Sequence, residues 1–408
     1  MLPTLLQDFQ NASRRRTRSW VTVFVLLWLV GTGADWVFRI TRFSWHKQIV
    51  RPAATEPSQR TADRPSGKQH VVREGLPGDL AGMLQMPKVA AKYMEFHPGV
   101  VYSTDADGLA NPPDLPSEHA ETVAVGASFF LSSGTQTFAQ ALSKELGKPV
   151  YNRARRGSGA FLALRRYVES GRFRQHPPEN VVWGLNARDL DGAYFARQSV
   201  SNWFRQGREG VGSTETLSFG ARLNKENLRP SVLRKAWPNT SALAKAARVF
   251  TGRLRYALFR EWPRDVRGDV HPVFGPMLFY RENLRVFEQM DPERERASVV
   301  ATIQNVAEQL SEEGSRLVVL LIPEREQLYR EALPQEDQKH LDRMQQLLEE
   351  ISGSLQHSGV SVVNLLPIFQ QQTQLGHRLY WRDDTHWNDA GIHVAAEETA
   401  RAIRSLRP

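Results

Sequence analysis

Near its carboxyl end the chain reads Trp381-Arg-Asp-Asp-Thr-His386-Trp-Asn-Asp-Ala-Gly391, which crowds three carboxylates around one imidazole. A general base needs a ring nitrogen to take a proton and a carboxylate to fix the tautomer and balance the charge that forms. Both Asp383 and Asp384 stand at a suitable distance from His386. Asn388, just before the last helical pattern, reads as a helix cap, and capping alone does not account for a histidine beside Trp387. A base of this kind needs a nucleophile to activate. The sequence has no cysteine, so a thiolate nucleophile, a thiolate metal site and a disulfide framework are all excluded. Serine is the alternative, and Thr122-Val-Ala-Val-Gly-Ala-Ser128-Phe-Phe is a short apolar run whose small-residue turn delivers one. An ordinary strand-to-helix turn would look the same, so Ser128 acquires meaning only beside His386.

The elements that must position these residues follow from periodicity. Strands are expected at Thr122–Val125, Pro149–Asn152, Asn180–Leu185, Arg316–Ile322 and Ser361–Leu366. Helices are expected at Gln136–Leu146, Ala160–Phe173, Val299–Glu313, Lys339–Ile351 and Asp389–Leu406. Strands that alternate with helices and are apolar on both faces predict an α/β fold with a doubly wound parallel sheet of about five strands. Sites in such sheets lie at the carboxyl ends of strands, where Ser128 falls. Residues 190–296 break the rhythm and predict a large insertion or cap after the third strand.

The amino-terminal part has a different character. Ser19–Phe38 is apolar apart from Asp35 and follows Arg14, Arg15, Arg16 and Arg18. At full helical length it spans about 30 Å, the thickness of a bilayer core. We expect residues 1–18 in the cytoplasm, a single membrane anchor at 19–38, a linker and domain entry at 39–94, and an exported catalytic domain at 95–408. A cleaved signal peptide is the alternative. The formal net charge of +9 is scattered and shows no basic patch interleaved with aromatics, so no nucleic-acid partner is expected.

A serine after the first strand and an Asp-x-(x)-His before the last helix, from Asp384 or from Asp383 at the three-residue spacing of ordinary SGNH enzymes, resemble the SGNH (GDSL-like) hydrolase superfamily. Asn152-Arg-Ala-Arg-Arg-Gly157 and Gly184-Leu-Asn186 fall where that family places its oxyanion glycine and its Gly-x-Asn. Asp384-Thr-His-Trp387, Leu317–Pro323 followed by Arg325 and Tyr329, and Gly275–Tyr280 resemble more closely the AlgJ/AlgX-like exopolysaccharide O-acetyltransferases, with Arg325 in place of their usual lysine. The resemblance implies a catalytic triad of Ser128, His386 and Asp384. It implies an oxyanion site from the Ser128 and Gly157 amides and the Asn186 side chain. Arg325, Tyr329 and Trp387 become candidates for sugar or donor contact, Arg325 and Tyr329 being equally readable as a surface pair.

The implied activity is O-acetyl transfer to an exopolysaccharide in the periplasm, by a single-pass protein of the bacterial inner membrane. No metal or organic cofactor is expected. The acetyl donor would be supplied by a membrane-bound O-acyltransferase partner that relays acetyl groups outward. An esterase or deacetylase with the same triad, or a non-catalytic subunit of an export complex, are the alternatives.

Overall fold

The computed structural model describes residues 70–73, 78–84, 86–95, 97, 100–105, 107–112, 115, 120–131, 135–155, 159–190, 200–208, 242–263, 265–289 and 291–406. In chain order they form β1 (His70–Arg73), α1 (Asp79–Leu84), α2 (Pro87–Ala90), β2 (Val100–Ser103), β3 (Thr122–Val125), α3 (Phe138–Leu146), β4 (Val150–Asn152), α4 (Gly159–Val168), α5 (Gly171–Gln175) and β5 (Asn180–Asn186). There follow α6 (Val200–Arg208), α7 (Ala242–Phe259), β6 (Val266–His271), β7 (Gly275–Tyr280), α8 (Arg281–Gln289), α9 (Pro292–Glu312), β8 (Arg316–Ile322), α10 (Arg325–Leu328), α11 (Gln335–His357), β9 (Ser361–Asn364), α12 (Leu365–Gln374) and α13 (Asp389–Ser405).

The apolar runs of β3, β5 and β8 lack the polar alternation of a half-exposed strand, and β3 and β5 are buried at every residue. Such strands need cover on both faces, which crossover helices provide. The sheet is parallel and five-stranded in the order β4-β3-β5-β8-β9. This is the expected α/β architecture. Because β4 lies on one side of β3 and β5 on the other, the winding reverses at β3/β5 and opens a crevice at their carboxyl ends. Val125 pairs in register with Trp183. Ser128 and Asn186 each lie three residues beyond that pair, so the two reach the same rim of the sheet.

Helix ends are set by local chemistry. Thr137 and Gln140 form a reciprocal capping box at the start of α3, and Gly147 ends that helix in the left-handed conformation at φ 65°. The Asn388 side chain accepts the Gly391 amide at 3.1 Å and so caps α13, which packs on α3.

Several boundaries move. The helix expected over Ala160–Phe173 breaks at Glu169–Ser170 into α4 and α5. The strand expected through Leu366 stops at Asn364, whose side chain caps α12. Within the expected insertion lie α6, α7, the antiparallel β6–β7 hairpin, α8 and the start of α9; Met277 and Phe279 of β7 join the main core. In the stretch expected as linker and entry, α1 buries Leu80 and Leu84.

Helix α7 belongs to a separate compact unit, whose described part is residues 242–261. The expected anchor at 19–38 lies outside the described residues. Among the described residues no helix is long and apolar enough to cross a membrane.

Candidate active site

Ser128 opens a single 3-10 turn directly after β3, and the two residues that follow it drive that turn into the core. Phe129 and Phe130 are both buried, and the Phe130 ring stacks on Phe138 with centroids 4.2 Å apart. The Phe130 ring has room because Gly184 on the neighbouring strand has no side chain: a Cβ there would stand 2.5 Å from the ring. Gly184, singled out in the sequence as half of a Gly-x-Asn pair, thus supports the serine turn by close approach.

His386 arrives from the loop between α12 and α13. Its Nδ1 lies 2.6 Å from Asp384 Oδ1 and its Nε2 lies 2.8 Å from Ser128 Oγ. With the Nδ1 proton directed at the carboxylate, Nε2 accepts the serine hydroxyl, the arrangement that makes serine nucleophilic. Phe129 lies against the imidazole at 4.8 Å between centroids and covers part of it. Burial alone would raise the Asp384 carboxyl, yet the charge of His386 and the hydrogen bonds from the His386 and Asp79 amides hold it well below the usual carboxylate range. It is therefore ionised wherever His386 acts as a base.

The two adjacent carboxylates have different partners. Asp384 serves His386, whereas Asp383 is fully buried and accepts from the Gly78 amide at 3.0 Å and lies 2.7 Å from His97 Nε2. The Asp383 carbonyl accepts the Ala81 amide at 3.1 Å. A Cβ at Gly78 would collide with that carbonyl, so only glycine lets the chain approach so closely. Glu95 accepts the Arg382 amide and pairs with Arg378. Sequence reading missed this clasp, because its partners lie 305 residues from Gly78 and carry no local spacing signal.

Three residues expected to touch sugar or donor are instead part of the scaffold. Arg325 is 0% exposed; its guanidinium donates to the Asp384 and Arg382 carbonyls and lies over the Phe279 ring. Tyr329 is equally buried, and its hydroxyl accepts the Leu379 and Tyr380 amides at 3.0 and 3.1 Å. Trp387, also 0% exposed, donates its indole N–H to the Phe129 carbonyl at 2.9 Å. None of the three offers a surface to a ligand. The physical reason is the loop itself, whose carbonyls and amides lie inside the fold and need partners. The surface-pair reading of Arg325 and Tyr329 is corrected for the same reason.

Asn186 is 2% exposed at the end of β5. Gly157 lies outside the described residues. On the rim beyond β5, the Arg188 guanidinium stands over the Phe129 ring and 3.5 Å from both Glu324 and Asn283. Complete burial pushes Glu324 up to about 7 despite the opposing charge of Arg188. Asp79, Asp384 and His386 place candidate metal-ligand atoms within 4.8 Å of one another, but both ring nitrogens of His386 already have partners, Asp384 and Ser128.

The family model of the SGNH hydrolase-like domain of the acetyltransferase AlgX matches residues 50–187 and 278–408, passing over most of the insertion. A probable alginate O-acetylase AlgJ of Pseudomonas syringae pv. tomato is 31% identical over 116 residues, 28% of this chain and 29% of that protein. The same-named protein of Pseudomonas fluorescens is 28% identical over 156 residues, 38% of this chain and 37% of its own length. That of Azotobacter vinelandii is 30% identical over 93 residues, 23% of this chain and 24% of its own length. The chain thus spans about a quarter to over a third of the length of these relatives. With a family match over more than half of its residues and a parallel five-stranded sheet beneath the Ser-His-Asp constellation, the chain belongs to the AlgJ/AlgX-like SGNH family.

Proposed function

We propose that this chain is an O-acetyltransferase that modifies an exported polysaccharide through an acetyl-serine intermediate. The observation that carries the reading is the unbroken relay from Asp384 through His386 to Ser128, with hydrogen-bond contacts of 2.6 and 2.8 Å. Ser128 Oγ attacks the carbonyl carbon of an acetyl donor while its proton passes to His386 Nε2; the tetrahedral intermediate collapses and the leaving group takes that proton. A sugar hydroxyl then attacks the acetyl-serine, gives its proton to His386, and Ser128 leaves and is reprotonated. The Ser128 amide, the Asn186 side chain and the Gly157 amide are the proposed oxyanion donors. The names of the AlgJ relatives favour transfer over hydrolysis.

The same reading puts the catalytic domain in the periplasm on a single amino-terminal anchor, with the acetyl group relayed by a membrane-bound O-acyltransferase and no cofactor on this chain. The test is acetylation of the secreted polymer, together with turnover of p-nitrophenyl acetate, in Ser128→Ala. Both are expected to fall by several orders of magnitude with the fold intact. Unchanged turnover and polymer acetylation in the folded variant would refute the assignment. Wild-type protein that releases acetate without acetylating polymer would make it an esterase.

A further inference from the structure

The relay uses one carboxylate, and a second stands beside the same imidazole. Asp79, the first residue of α1, has its Oδ2 3.8 Å from His386 Nδ1. Its carboxylate is held from both ends by one residue: Oδ1 accepts the Thr385 amide at 2.7 Å and Oδ2 accepts the Thr385 hydroxyl at 2.5 Å. Thr385 Oγ lies 3.4 Å from His386 Nδ1, so its hydroxyl sits between the carboxylate and the ring. The Asp79 amide in turn donates to Asp384 Oδ2 at 3.0 Å, filling the oxygen that His386 does not use. One residue therefore secures the partner of His386 with its backbone and faces His386 with its charge.

We propose that Asp79 is a positioning residue that acts through His386, a second counter-charge that stabilises the imidazolium formed when Ser128 gives up its proton. The proposal rests on the acetyl-serine reading. During acylation the Ser128 proton moves to Nε2 and the ring becomes a cation lying between Asp384, hydrogen-bonded to it, and Asp79, in its field. Opposite charges about 4 Å apart near a protein surface attract strongly enough to matter for a rate. The charged and titratable groups around Asp79 are Asp384 and His386 on the acidic loop, with Arg188 after β5, Arg325 on α10 and Tyr280 on β7 also feeling its field. Burial, and then the neighbouring Asp384, push the Asp79 carboxyl up to about 6. The second counter-charge is thus present above that pH and lost as pH falls through it.

A purely structural role, tying α1 to the acidic loop, is the competing account, and Asp79→Asn separates the two. The amide is isosteric: its oxygen accepts the Thr385 amide and its NH₂ donates to the Thr385 hydroxyl, so the tie survives and only the charge goes. The experiment measures kcat/KM for p-nitrophenyl acetate against pH with the full-length chain. In Asp79→Asn we expect a fall of about tenfold at neutral pH. We also expect the acidic limb to shift to lower pH, because the cation form of the base has lost a stabilising charge, and Asp79→Glu to recover part of the rate. A folded Asp79→Asn enzyme with wild-type kcat/KM and an unmoved limb would overturn the proposal. Full activity in Ser128→Ala would instead overturn the reading beneath it, so the two failures are distinguishable.

Discussion

The turn that carries Ser128 and the loop that carries His386 meet at two hydrogen bonds, His386 to Ser128 and Trp387 to the Phe129 carbonyl, and are held by different forces. The serine turn is a product of packing. It leaves a buried strand and is locked by two phenylalanines wedged among Phe138, Trp387 and the bare backbone of Gly184. The acidic loop is held by polar contacts with distant segments. Gly78, Asp79, Glu95 and His97 take it from one side, Arg325 and Tyr329 from another, and nearly every contact ends on a loop amide, carbonyl or carboxylate. The difference teaches that a nucleophile needs only a fixed location, which nonpolar packing supplies. A base needs a fixed orientation and a tuned charge, which hydrogen bonds and ion pairs supply.

The sharpest way to break this comparison is at the two adjacent aspartates. Asp384→Asn should lower kcat by about 10⁴-fold with the thermal midpoint nearly unchanged, because it removes the orientation and counter-charge of His386. Asp383→Asn should cost activity about tenfold at most and lower stability by about 1–3 kcal/mol, because a buried acceptor of the Gly78 amide and of His97 is impaired. Kinetics and thermal denaturation on both variants check this, and a reversed pattern would mean that the wrong carboxylate has been assigned to the base.

Arg325→Met removes a buried guanidinium from two loop carbonyls, and we expect about 3 kcal/mol of destabilisation. The prediction is sharpened by the acceptor: KM for the sugar should stay constant while kcat falls, since Arg325 has no exposed surface. A selective rise in KM would restore the sugar-contact role that burial removes.

On the packing side, Gly184→Ala should destabilise by about 1–3 kcal/mol by pressing a methyl into the Phe130 ring. Its effect on kcat should be smaller than that of Asp384→Asn, because the serine needs location more than charge.

The smallest effect concerns pH. Burial alone would lower the His97 imidazole, but its hydrogen bond to Asp383 and the charge there raise it above its ordinary value of 6.5. A folded value above the unfolded one stabilises the protein fully below pH 6.5, and this contribution is lost as pH rises through the folded value. We expect the clasp to contribute stability at acidic pH that fades on the alkaline side. The pH dependence of the thermal midpoint in wild type and His97→Gln checks it, the variant lacking that slope.

The sequence by itself determined the parts whose signal is local. The five strands and most helices follow from apolar periodicity, the cap at Asn388 from side-chain type, and Ser128 and His386 as candidates from chemistry that needs those residue types where they stand. It also narrowed the partner of His386 to Asp383 or Asp384. Tertiary structure decided the rest. It turned Asp384 to the imidazole and Asp383 to His97. It buried Arg325, Tyr329 and Trp387, whose side chains suit a sugar surface and a protein interior equally well. It brought Asp79 from the other end of the domain to the base. The physical reason is that a side chain's reactivity and geometric preference are properties of the residue. Its exposure, its partners and the field around it are properties of whatever segments the fold lays against it, at separations that leave no periodic trace in the chain.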